Sequence, residues 1–182
     1  MSAVLKEEYL PYYTYKDYKS WEGDWELIDG IAYAMSPSPA ISHQELNAMI
    51  IFELKTKLKS CPNCKVIPEI DWRISDDTVV CPDTTVVCNL KKSAIHLRQT
   101  PQIIFEILSP STMKKDKGLK RLLYQQNKVL YYIMIEPTNK TAQILKLKNE
   151  TYHDEGVFRD NSYHFVLDEC EFDFDFKEVF EL

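Results

Sequence analysis

Two carboxylates and a set of lysines are the residues in this chain that could do chemistry together. Asp83 follows Pro82 in the middle of the valine-rich run VVCPDTTVV (79–87), and Glu106 sits inside IIFEIL (103–108). Short, uniformly apolar runs of this kind read as strands covered on both faces. An ionised glutamate there is costly unless it is paired, protonated or bound to a cation. The second run leads through SPST (109–112) into the lysine-rich segment KKDKGLKRLLY (114–124). Two strand carboxylates with a lysine close by are the minimal set for metal-assisted hydrolysis of a phosphodiester. Plainer readings stand beside this one. Asp83 could be a solvated residue at a sheet edge, Glu106 a buried acid paired with a lysine, and the lysines a solvated helix face.

The elements that must position these groups follow from pattern. WELI (25–28) and IAYAM (31–35) read as two short strands, and Asp29-Gly30 between them as a tight hairpin turn; SPSPA (36–40) is a loop. Thr14 and Asp17 suit a capping box before a short helix. Ser42 with Glu45 predicts a second capping box, opening a helix to about Lys59 whose buried face is Leu46, Met49, Ile50, Leu54 and Leu58. Glu45 flanks that face, either as helix-start electrostatics or as a third acid near a metal; His43 reads as a surface or hydrogen-bonded histidine. Residues 65–72 form a strand interrupted by Pro68. Residues 78–87 form the next, with a bend or bulge where Pro82 has no amide hydrogen to give, so that Asp83 is re-aimed. Residues 101–108 are the central strand, 113–127 a helix, 130–135 another buried strand, and 141–147 its antiparallel neighbour. The tail EFDFDF (171–176) suits a half-buried edge strand before a last short helix. This order predicts an α/β fold, a mixed sheet with helices on both faces. The unit from Pro101 to Ile135 is expected to be a right-handed parallel crossover, with active groups near its strand ends.

Composition narrows the class. A chain of 182 residues suits a single domain over 1–182. With 45% hydrophobic and 27% charged residues it reads as an ordinary soluble protein. No apolar run is long enough for a bilayer and no basic-then-apolar leader opens the chain, so the expectation is cytoplasmic, with no membrane partner. A net charge of −6 argues against a broad nucleic-acid surface but leaves room for a local basic patch. Lys114, Lys115, Lys117, Lys120 and Arg121 form one, with Lys91 and Lys92 upstream. The turn C-P-N-C (61–64) looks like half a zinc site or a redox pair, but a structural zinc needs four ligands and Cys81, Cys88 and Cys170 are isolated in sequence. All five cysteines are therefore expected to be reduced thiols.

Taken jointly, LIDGIAYAMSPSP, SHQEL, CPDTTVV, FEILSPST, DKGLKRLLY and YYIMIEP resemble the Uma-type family of restriction endonucleases within the PD-(D/E)xK nuclease superfamily. They span about Trp25 to Pro137. The resemblance implies a restriction-endonuclease-like core, Mg²⁺ or Mn²⁺, DNA as substrate and a homodimer. It implies that Asp83 and Glu106 hold the metal with the carbonyl of Ile107, and that Glu45 contributes through a water. One departure stands out: the superfamily lysine belongs two residues after the glutamate, where this chain has Leu108. In the Uma-type family that lysine sits on the following helix, in the place Lys120 occupies. With Leu119, Leu122 and Leu123 on the buried face, Lys120 is expected at its flank, its stem along apolar surface; an Asp116–Lys120 surface pair is the plainer alternative. The competing functions are a catalytically inactive nuclease fold that binds DNA or a regulatory partner, and a hydrolase for another phosphate ester. If the metal reading holds, Asp83 and Glu106 must converge on one point.

Overall fold

The computed structural model describes residues 11–35, 40–91, 95–168 and 170–181. In chain order the elements are α1 (Tyr15–Tyr18), β1 (Trp25–Ile28), β2 (Ile31–Ala34), α2 (Ile41–Lys57), β3 (Cys64–Pro68), β4 (Trp72–Arg73), β5 (Val79–Val80), β6 (Thr84–Cys88) and β7 (Ile103–Ile107). There follow α3 (Met113–Lys115), a π-helical turn (Asp116–Lys120), α4 (Arg121–Gln126), β8 (Tyr131–Glu136), β9 (Thr141–Lys148), β10 (Thr151–Phe158), β11 (Ser162–Leu167), β12 (Cys170–Asp175) and α5 (Phe176–Phe180). Of the predicted loop 36–40 only Ala40 is a described residue, and Lys92 lies outside the described residues.

The run around Glu106 sets the layering. All five residues of β7 are buried, and their alternation feeds two cores. Ile103, Phe105 and Ile107 pack with Leu46, Ile50 and Leu54 of α2 and with the phenylalanines of β12 and α5. Ile104 and Leu108 pack on the other face with Trp72, Leu123, Tyr124 and Tyr132. The large sheet runs β10-β9-β8-β7-β6-β3 and the small one β2-β1-β5-β4, with β11 and β12 as a separate hairpin. β7 and β8 are parallel and the other pairs of the large sheet antiparallel. The result is the expected α/β architecture, a mixed sheet with α2 on one face and α4 on the other. Among the described residues no helix is long and apolar enough to cross a membrane.

Several local expectations are corrected. The run 78–87 is two strands in two sheets: β5 pairs with β1 and β4, while β6 pairs with β3 and β7. Proline cannot continue the ladder, and here it marks the change of sheet rather than a bulge. Pro68 ends β3, an edge strand, and Glu69 turns the chain with φ +45° before β4. The helix starts at Ile41 with Ala40 as N-cap, so Ser42 lies within its first turn and makes no capping box; the Thr14–Asp17 box does form. EFDFDF pairs with β11 and not with the edge of the large sheet.

The helix after Glu106 carries the largest correction. Its π-helical turn inserts one extra residue into the repeat and rotates the residues after it. Leu122, expected inside, is 53% exposed, and Lys120, expected at the flank, is 3% exposed. The cysteines also differ from expectation. Cys64 and Cys88 stand opposite each other across β3 and β6 and are bridged, as are Cys61 and Cys170, with Cα–Cα separations of 3.9 and 5.7 Å. Cys81 is free. Strand pairing and the closing of the last hairpin bring these distant residues within reach of each other, which spacing alone does not encode.

Two glycines behave oppositely under substitution. Gly30 closes the β1–β2 turn at φ +76°, and a Cβ there would strike the Tyr12 ring. Gly118 lies in the helical segment and a Cβ there meets nothing. Gly118→Ala should therefore stabilise by about 0.5–1 kcal/mol, raising Tm by a few degrees, while Gly30→Ala lowers it. Thermal unfolding of the two variants beside wild type checks both signs, and a destabilised Gly118→Ala would show that the π-helical turn needs its glycine.

Candidate active site

Asp83 is the last residue before β6, after Cys81 and Pro82 have carried the chain out of the small sheet. The β6–β7 register pairs Thr84 with Phe105, so the next position brings Asp83 opposite Glu106. The Asp83 carboxylate leans onto the peptide after Glu106, and Ile107 N–H donates to its Oδ2 at 2.7 Å. His43 Nε2 lies 3.4 Å from the same oxygen. One turn further along α2, Asn47 donates to the Asp83 carbonyl at 3.3 Å and accepts from the Thr84 hydroxyl at 2.6 Å. The helix thus clamps the aspartate through residues at i and i+4, which share a face. The hydrogen bond to Asp83 raises the His43 pKa, and a bond to the Ile107 main chain works in the same direction.

Glu106 faces the opposite core. Its Oε1 accepts from Lys120 Nζ at 2.8 Å and from the Tyr124 hydroxyl at 2.7 Å. The same ammonium lies 2.7 Å from Glu26 Oε1 and 3.7 Å from Asp116 Oδ1. Glu26, fully buried on β1, also pairs with Lys115 through Oε2 and accepts from the Cys81 amide at 3.2 Å. Asp116, Lys120 and Tyr124 follow one another at intervals of four, and all three side chains are buried around this cluster. Asp116 Oδ1 is a buried acceptor with no hydrogen-bond partner.

Charge follows from this crowding. Glu26, Glu106 and Asp116 face only two ammonium groups, so one negative charge is in excess and a proton should reside among the acids. Burial pushes Glu106 up to about 8, with Asp116, Asp83 and Glu26 adding to the rise and Lys120 opposing it. Burial raises Asp116 as well. Burial would raise Glu26 too, but Lys120 and Lys115 outweigh it and hold that carboxyl below its ordinary value. Burial alone would lower Lys120; its carboxylate neighbours overcome that and keep it charged.

The donors fit a hard divalent cation in kind. Asp83 Oδ1 and Glu106 Oε2 have no hydrogen-bond partner among the described residues, and with the Ile107 carbonyl they form an oxygen-only set of the type Mg²⁺ takes. Around these donors no third His, Cys, Asp or Glu side chain completes a metal-binding group among the described residues, so any cation here relies on two carboxylates, the main chain and water. Of the residues singled out from sequence, Asp83, Glu106, Ile107 and Lys120 come together. Glu45 does not join them: it is exposed on α2 and bonds to neither carboxylate. Lys114 and Lys117 are exposed and Arg121 is partly so. His43 is the hydrogen-bonded histidine expected, with Asp83 as its partner; sequence reasoning missed Glu26, Asn47 and Tyr124. The signal for Glu26 was present, since WELI places an acid among apolar strand residues as IIFEIL does.

The chain is similar to known proteins over most of its length. A family described as "Uma2: Putative restriction endonuclease" matches residues 7–170. "Uncharacterized protein slr1290" of Synechocystis sp. is 26% identical over 133 residues, covering 68% of this chain and 68% of that protein. A crystal structure of "a putative nuclease belonging to DUF820" from Anabaena variabilis superposes with a TM-score of 0.74 at 16% identity. That superposition covers 92% of this chain and 97% of the other, and at this identity it establishes a shared fold.

The proton on Glu106 has a measurable consequence. Its folded pKa of about 8 lies above the ordinary 4.5. Between those values the folded protein holds a proton that the unfolded chain has released, so stability must fall as pH rises through that window. Tm should therefore decline from about pH 6 to about pH 8, and Glu106→Gln, which cannot titrate, should lose most of that decline. Thermal unfolding across the window decides this; a variant that tracks wild type would show Glu106 to be ionised throughout.

Proposed function

The chain belongs to the Uma2 family of restriction-endonuclease-like proteins, and on that premise we propose that it is a divalent-metal-dependent DNA endonuclease. The observation that supports this most is the juxtaposition of Asp83, Glu106 and Lys120: Asp83 is bonded to the peptide that follows Glu106, and a buried lysine is bonded to Glu106 itself. Asp83, Glu106 and the Ile107 carbonyl would hold Mg²⁺ or Mn²⁺. When bound, such an ion polarises the scissile phosphate and acidifies water.

The chain's own residues prepare that chemistry. Ile107 N–H and His43 orient the Asp83 carboxylate by engaging Oδ2. Tyr124 and Lys120 hold Glu106 by Oε1 and leave Oε2 for a ligand. Lys120 supplies fixed positive charge where negative charge grows on the phosphate during hydrolysis. Glu26 is a positioning residue, anchoring Lys120 from the side away from Glu106. Exposed Lys114 and Lys117 suit contacts with the DNA backbone. A two-fold homodimer would bring two such sites to the two strands, and Glu45 could take part only through water.

The test is cleavage of varied DNA by wild type with Mg²⁺, with Mn²⁺ and with chelator, beside Asp83→Asn, Glu106→Gln, Lys120→Gln and the surface control Lys117→Ala. Wild type should cut only with metal. The three site variants should each lose about a hundredfold or more, the scale of one lost transition-state contact. Lys117→Ala should instead weaken binding in a salt-sensitive way. Mg²⁺ should raise the Tm of wild type and leave that of Glu106→Gln unchanged. Lys120→Gln must be checked for folding, since it leaves two buried acids without their shared cation. A folded wild type silent with both metals, yet binding DNA, would replace this reading with that of a non-catalytic DNA-binding partner.

A further inference from the structure

The four bridged cysteines form a second cluster that the proposed nuclease chemistry does not use. Cys61 and Cys64 close the C-P-N-C turn, in which Cys64 N–H donates to the Cys61 carbonyl at 3.0 Å. A turn of this size keeps its end residues within about 7 Å. Cys88 faces Cys64 across β3 and β6, Cys170 opens β12, and all four line one cavity. Cys81 lies elsewhere, beside Glu26. Four sulfurs, two of them spaced C-x₂-C, match the ligand inventory of a tetrathiolate zinc site. Disulfide and zinc are alternative fates of the same atoms, because only the thiolate binds metal. Bridged, they offer no ligand.

We propose that the reduced form of this cluster binds Zn²⁺ through Cys61, Cys64, Cys88 and Cys170. Two dithiol molecules reduce the two disulfides, giving up four electrons and four protons and becoming cyclic disulfides. Zinc then displaces the four thiol protons into solvent. The scaffold stays in place on reduction because bonds that do not involve sulfur hold it. Asn89 N–H donates to the Asn63 carbonyl at 2.8 Å, tying the turn to the end of β6. Cys88 N–H donates to Gln102 Oε1 at 2.7 Å, and the Cys88 carbonyl accepts from Gln99 at 2.6 Å. The β11–β12 register sets Cys170 beside Leu167. Cys61 and Cys88 are buried, where a bare thiolate is costly and a dication compensates it. The ion would tie the end of α2, two strands of the large sheet and the last hairpin. It would lie at the end of β6 away from Asp83, on the order of 17 Å along the strand, so it braces the scaffold and leaves the candidate active site alone.

The full chain, reduced with a dithiol under anaerobic conditions and freed of reductant, is titrated with Co²⁺ and then Zn²⁺. The expected result is about one Co²⁺ per chain with an intense sulfur-to-cobalt charge-transfer band and tetrahedral visible bands, all displaced by Zn²⁺. Carboxylates at the candidate active site cannot produce the sulfur band. Zinc should also shield these four thiols from alkylation, while Cys81, its thiol pushed up by burial and by Asp71 and Glu26, reacts slowly with or without the metal. Cys61→Ser and Cys170→Ser should each weaken the band, while Cys81→Ser leaves it. The wild-type spectrum and thiol count stand even where a serine variant fails to fold. A reduced wild type that folds and gives no sulfur-to-cobalt band, or one that unfolds on reduction and is not restored by zinc, overturns the proposal and leaves two structural disulfides.

Discussion

The Lys120 ammonium is the interaction on which the organisation of this protein turns. It lies between Glu26 of the small sheet and Glu106 of the large one, at 2.7 and 2.8 Å. Taking either acid out of water costs several kcal/mol, and removing the shared cation from such a group costs about 3–5 kcal/mol. A nonpolar trio of similar size would be as stable or more so. The ion cluster is thus poorly explained as a source of stability. It is better explained as a device for keeping an acid in an apolar strand, close to a second acid, without loss of the fold.

How much of this was legible depends on how local each signal is. Glu106 and Asp83 could be read from sequence because an acid in an apolar run is anomalous wherever the run goes, whereas the pairing of β6 with β7 that brings them near each other could not. Glu26 carried the same anomaly in WELI, but a four-residue strand beside a clear hairpin turn offered an easier explanation. Lys120 was found through family resemblance, while its burial was misjudged. A helical wheel at 100° per residue assumes an unbroken α-helix, and the π-helical turn defeats that assumption, exposing Leu122 and burying the lysine. His43 and Asn47 act through the Asp83 main chain and side chain across a tertiary contact, which no local pattern shows.

Pro82 illustrates the same limit in the backbone. Its missing amide hydrogen foretells a break in the ladder, yet whether the chain bulges or changes sheets is decided by which partners lie on each side. Here Val79 meets Leu27 of β1 and Thr84 meets Phe105 of β7, so the break becomes a passage between sheets and Asp83 stands at its exit. The cysteines extend the point, since C-P-N-C acquires its meaning only when Cys88 and Cys170 arrive from residues far along the chain.

The Glu26–Lys115 contact joins residues 89 positions apart. Closing a loop of that length costs chain entropy that this one contact does not offset, so docking of the β1–β2 hairpin against the helix relies on the sheet contacts around it. β6, β7, β8 and the crossover helix take their own pairing from one another, so without the hairpin Lys120 would keep Glu106 and lose Glu26, its second anchor. The charge arrangement at Lys120 is therefore complete only when the small sheet is docked on the large one. A chain in which the two sheets have not docked would own β6 and β7 without the charge arrangement around Glu106.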